Sequence, residues 1–106
     1  MDQKKNRTIS QLSTYKRKIS KRFTIHQMYL YGSRARGDHL KTSDVDVLII
    51  SSTFLGIPFT ERMYLVTKEW KNKLELEAFC YTPEEFNQKK NESTYMKQIL
   101  KEAIPI

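Results

Sequence analysis

Two aspartates stand at the head of an apolar run in Ser43-Asp44-Val45-Asp46-Val47-Leu48-Ile49-Ile50. Val45 to Ile50 is too apolar for a strand with one solvated face and suits a sheet covered on both sides. The chain must therefore supply layers above and below that strand. Side chains alternate along a strand, so Asp44 and Asp46 point to the same face with Cα atoms about 6–7 Å apart. Two like charges on one face repel, and no fold requires them. Divalent cations would require them, because hard Mg²⁺ takes oxygen ligands and combines one or two carboxylates with substrate phosphates.

The segment before this run has matching chemistry. Ile25 to Tyr31 is rich in β-branched and aromatic residues and reads as a strand that stops at Gly32. Gly32 lets the backbone approach a phosphate closely, and Ser33 adds a hydroxyl and an N–H. Arg34 and Arg36 carry guanidinium forks that suit phosphate oxygens. Taken singly, each feature has a plain structural reading: a strand-ending glycine, surface arginines, a capping aspartate, an edge charge. Taken together, the phosphate turn, the cations and the carboxylate pair point to a nucleoside-triphosphate site.

Gly32-Ser33, ten residues, then Asp44-Val45-Asp46 resembles the GS-x10-D-x-D signature of the DNA polymerase β-like nucleotidyltransferases. The fuller string GSRARGDHLKTSDVDVLI is similar to the minimal nucleotidyltransferases (MNT) of that superfamily. Tyr81-Thr82-Pro83-Glu84-Glu85-Phe86 resembles the family's strand-exit segment, so the likeness covers most of residues 25–104. It implies a small mixed sheet packed with helices, and two Mg²⁺ ions roughly 4 Å apart, with Mn²⁺ as a substitute. It also implies a third carboxylate on a neighbouring strand. Counting back from the strand-exit match places Glu77 where the family usually has aspartate, with Glu75 as the alternative. Asp44, Asp46 and Glu77 would then hold the metals, Gly32, Ser33, Arg36 and Arg34 would hold the nucleotide, and Glu77 would help accept the acceptor's proton.

The reaction implied by the resemblance is displacement at the α-phosphorus, with ATP as donor and pyrophosphate as leaving group. Minimal nucleotidyltransferases are often encoded beside helical HEPN toxins and adenylylate a tyrosine of that partner, so an antitoxin role is the first expectation. Transfer to RNA or a small molecule is the second, and a non-catalytic binding module the third. The expectation is that a core of this size borrows an acceptor surface from an oligomer mate or a second protein.

At 106 residues the chain has the size of one domain. Residues 1–22 carry eight Lys/Arg against one acid, so the whole net charge of +7 lies at that end. Such a segment can contact RNA, or can be a solvated helix face. No apolar run approaches a membrane span or a secretory signal, and a cytoplasmic location is the expectation. Cys80, the single cysteine, reads as a small buried hydrophobe. His26 and His39 lack the companions of a zinc site.

In order, residues 1–7 read as disordered and 8–106 as a single domain. Ile9, Leu12, Tyr15, Ile19 and Phe23 mark one stripe of a helix over 8–23. Residues 51–59 read as an apolar loop. Thr60 caps a helix to Lys71 with Phe59, Met63, Val66 and Trp70 inward. A strand over 73–81 places Glu75, Glu77, Phe79 and Tyr81 on one face. Thr82-Pro83-Glu84-Glu85 is a capping box that starts a helix fading near Asn91, and a last helix runs from Ser93 to before Pro105.

Overall fold

The run from Val45 becomes one of the two inner strands of a four-stranded mixed sheet. In the computed structural model, which describes residues 3–38 and 43–106 with side chains from Lys5 onward, the strands are β1 (Ile25–Tyr31), β2 (Val45–Ser51), β3 (Leu76–Tyr81) and β4 (Ile104–Pro105). Their order is β3-β2-β1-β4, with β1 antiparallel to β2 and β4 and with β2 parallel to β3. The helices are α1 (Gln3–Ile19), α2 (Ser33–Arg36), α3 (Phe59–Thr67), α4 (Pro83–Glu92) and α5 (Thr94–Glu102). Among the described residues, no helix is long and apolar enough to cross a membrane.

The expected double cover is present. Val45, Val47 and Ile49 pack with Leu12, Tyr15 and Ile19 of α1, Val66 of α3 and Leu76, Ala78 and Cys80 of β3. Leu48 and Ile50 face the other way, onto Phe86 of α4 and Met96 and Ile99 of α5. Asp46 shares the parity of Leu48 and Ile50, so it lies at the end of the face that α4 and α5 cover. Burial pushes the Cys80 thiol up to about 12, as expected of a thiol used for packing.

Several boundaries differ from the sequence expectation. Helix α1 begins at Gln3, so residues 3–7 form its first turns. Pro58, with φ fixed at −55°, caps α3 and moves its start ahead of Thr60. Val66 is buried on that helix, but Phe59 and Met63 are exposed. The inward place one turn before Val66 is taken by Arg62. Strand β3 starts at Leu76, because the indole N–H of Trp70 donates to the carbonyl of Leu74 at 2.7 Å and holds the preceding turn. Ser51 ends β2 and accepts from the Thr53 N–H, closing a 3-10 turn over Ser52–Phe54 that drives Phe54 into the core against Phe23. Strand β4 was not expected. Its Pro105 is tolerated because the pair is a sheet edge, and Ile106 N–H continues the pairing to Met28 O at 2.9 Å. The polar loop that carries His39 lies outside the described residues at 39–42.

Arg62 is a buried strap. Its Nε donates to Ile57 O at 2.8 Å, and its Nη1 donates to Cys80 O at 3.2 Å and to Glu85 Oε1 at 2.6 Å. Phe54 and Phe59 flank the guanidinium, each centroid at 5.8 Å. Glu85 meanwhile completes the capping box, accepting from Thr82 N–H at 2.8 Å while its own N–H donates to Thr82 Oγ1 at 3.2 Å. One side chain thus fastens α3, the end of β3 and the start of α4 together.

Candidate active site

Strand register places the acidic side chains. Asp46 pairs with Glu77 across the parallel β2–β3 ladder and with Tyr31 across the antiparallel β1–β2 ladder. In a parallel ladder, residues in register point to the same face, so the two carboxyl groups lie side by side within hydrogen-bonding reach. Desolvation comes first among the causes that push the Asp46 carboxyl up to about 6, followed by the bond to Glu77, the charges of Glu77 and Asp44, and an opposing pull from Arg34. The sequence left Glu75 and Glu77 as alternatives. Glu77 is the one brought to Asp46, whereas Glu75 is exposed just before β3 and uses its backbone carbonyl to accept from Val45 N–H at 2.9 Å.

The turn between β1 and α2 closes over this pair. Gly32 has φ 77° and ψ −156°, a region open in practice to glycine alone. A Cβ there would stand 2.7 Å from Asp46 Oδ2. Gly32 is therefore required twice, by its dihedral angles and by the carboxylate beneath it. Gly32→Ala should cost about 1–3 kcal/mol of stability and displace Asp46; a thermal melt together with an activity assay checks both. Helix α2 then turns sharply at Gly37, whose φ of 86° is left-handed and whose N–H donates to Ser33 O at 2.9 Å.

The two arginines part company. Arg34 is buried, with Nε and Nη2 donating to Ser43 O at 3.0 and 2.9 Å and Nη1 donating to Thr8 Oγ1 at 3.2 Å. Its charge faces Asp44 and Asp46 from within the protein while it fastens α1, α2 and the entry to β2. Arg36 stays on the surface and is shared between Asp38 at 3.1 Å and Glu102 at 3.4 Å. Tyr31 lines the site as well. Burial raises its phenol, and Asp46, Tyr95, Glu77 and Tyr81 raise it further. Sequence reasoning did not single out Tyr31; its place as the last residue before Gly32 was the available signal. His26 is distant in role, an exposed strand residue with Nε2 3.1 Å from Ser52 Oγ.

Among the described residues, no three His, Cys, Asp or Glu side chains converge as an all-protein metal cage. The donor set nevertheless fits a hard divalent cation. The carboxyl of Asp46 is crowded by Glu77 beside it and by Asp44, and a divalent cation would relieve that crowding of like charge. A site with few protein oxygens leaves coordination positions for water and substrate phosphate, as Mg²⁺ prefers.

The model of the nucleotidyltransferase domain family matches residues 12–106. No curated protein is similar enough to match the sequence. Among solved structures, the fold is similar to that of a candidate nucleotidyltransferase from Sulfolobus solfataricus, with a TM-score of 0.68 and 21% identity over 96% of this chain and 81% of the other.

Proposed function

Because the chain belongs to the nucleotidyltransferase domain family, we propose that it transfers AMP from ATP to a hydroxyl acceptor, and that the acceptor is a tyrosine of a HEPN-type toxin partner. The chain would then act as the antitoxin of such a pair. The observation that carries the transfer reading is the Asp46–Glu77 pair lying under the Gly32 turn. The partner and acceptor rest on the resemblance of GSRARGDHLKTSDVDVLI to the minimal nucleotidyltransferases. A second reading, transfer to RNA, is favoured by the exposed Arg7, Arg17 and Lys21 of the basic N-terminal segment.

A divalent cation on Asp46 and Glu77, Mg²⁺ or Mn²⁺, with Asp44 nearby adding negative charge, would supply neutralising charge to the phosphates. The chain's own residues do the remainder. Gly32 leaves room for the phosphate tail, and Ser33 offers its hydroxyl and N–H to it. Arg36, shared between two surface carboxylates, would exchange them for phosphate oxygens. On the opposite side of Asp46, Glu77 is exposed and receives the proton of the attacking hydroxyl. Pyrophosphate would then leave toward the Gly32 turn, opposite the attacking hydroxyl that Glu77 deprotonates.

ATP carrying a radioactive α-phosphate tests this reading. Wild type with Mg²⁺ and native cell extract should label a protein band, and the Asp44→Asn/Asp46→Asn double variant should label none. A labelled nucleic acid would establish the RNA reading. Absence of label from every fraction, with Mn²⁺ also tried, would overturn transfer and leave a binding module.

A further inference from the structure

An aromatic groove opens on the face that carries Glu77. Along β3, Glu77, Phe79 and Tyr81 alternate to the same side, so the groove begins one side-chain step from the carboxylates. It has a volume of about 460 Å³ and is lined by Phe59, Phe79, Tyr81, Glu85, Gln88 and Lys89. The floor is rigid. Phe79 is stacked on Tyr31 with centroids 6.3 Å apart and planes 11° apart, while Phe59 leans on Tyr81 at 5.6 Å. Phe79 keeps 36% of its surface exposed and Phe59 keeps 47%. Large aromatic faces held open in this way need an explanation, since the fold itself would be better served by covering them.

We infer that this groove binds the nucleobase of the donor nucleotide, stacked on Phe79 and Tyr81. The inference rests on the transfer reading above and adds the place of the base to it. A triphosphate seated on the Gly32 turn brings its α-phosphorus over Asp46, and the nucleoside must then extend beyond Glu77. The groove lies in that direction, on the same face. Its chemistry suits a planar heterocycle with polar edges: π-faces below, and at the rim the amide of Gln88, which both donates and accepts, and the ammonium of Lys89. Glu85 is committed to Arg62 and to the α4 cap, so it shapes the rim but is not a reader of the base.

Titration calorimetry with ATP and with inorganic triphosphate, both in Mg²⁺, tests the assignment. Phe79→Leu keeps the apolar volume on β3 and removes the aromatic face. The expected result is ATP binding weakened about tenfold with triphosphate binding unchanged, and recovery of ATP affinity in Phe79→Tyr. Lys89→Ala, on the helix surface, should weaken ATP in the same direction without altering the melting temperature. Unchanged ATP affinity in Phe79→Leu would overturn the inference. Unchanged ATP affinity with a raised KM for the acceptor would overturn it too, and would give the groove to an aromatic acceptor. If wild type binds neither probe, the triphosphate site itself falls, which is a different failure from loss of the groove alone.

Discussion

Asp46→Asn should abolish transfer and make the unliganded protein more stable at neutral pH. The first effect follows from removing the charge at the centre of the site, and a fall of about 10²–10³-fold or more is expected. The second follows from the crowding around that carboxylate, where burial and the neighbouring Glu77 and Asp44 push Asp46 up to about 6 from an ordinary 3.8. The folded state therefore holds the proton more tightly than the unfolded chain does. Stability from this group is fully present below about pH 4 and is lost as pH rises through about 6. The asparagine variant does not suffer that loss. Asp46 is only partly buried and water screens it, so the gain at pH 7 is about 1 kcal/mol, or 4–8 °C in Tm. Melts at pH 4, 5, 6 and 7 check the sign: the variant should gain on wild type only toward the upper end. Equal curves at every pH would mean that the carboxylates do not strain one another.

Arg62→Ala should produce the largest loss of stability of any surface-to-core contact described above. Truncation leaves the carbonyls of Ile57 and Cys80 without this donor and takes the partner from Glu85. Removing one member of a buried pair costs about 3–5 kcal/mol. The Glu85 side chain is 43% exposed, so water recovers part of that, and about 3 kcal/mol is expected. Tm should fall by about 15 °C. Arg62→Met separates packing from polar bonding, because its stem still fills the space between Phe54 and Phe59; it should keep most of the loss if the bonds dominate. Arg62 also holds the Glu85 carboxyl below its ordinary range. That contribution is present above the ordinary carboxylate range and disappears as pH falls through the lowered value, so the gap between wild type and variant should narrow in acid.

Much of this was legible because it is local. The bounds of β1, the apolar core of β2 with Asp46 on the face of Leu48 and Ile50, and the Thr82–Glu85 cap all follow from alternation or from four-residue motifs, whereas Asp44 precedes the strand and alternation does not fix it. Glu77 could not be separated from Glu75 on such grounds, since both share one face and only the inter-strand register chooses between them. Nor does periodicity distinguish Arg34, which turns inward to Ser43, from Arg36, which stays out. Helix α3 misled for a related reason: an inward arginine breaks the apolar stripe, and its partners come from residues 57, 80 and 85. Strand β4 is two residues long and contains a proline, so no local signal marks it.

The parallel pairing of β2 and β3 has a consequence for how the protein comes into being. Asp46 and Glu77 are 31 positions apart and meet only after the crossover through α3 has closed. Neither hairpin formation between β1 and β2 nor growth of α4 brings them together. Closing so long a loop is an entropic cost met before the contact exists. Partly assembled chains, or fragments ending before β3, therefore carry each carboxylate in isolation, and the clustered charge arises only with the completed tertiary structure.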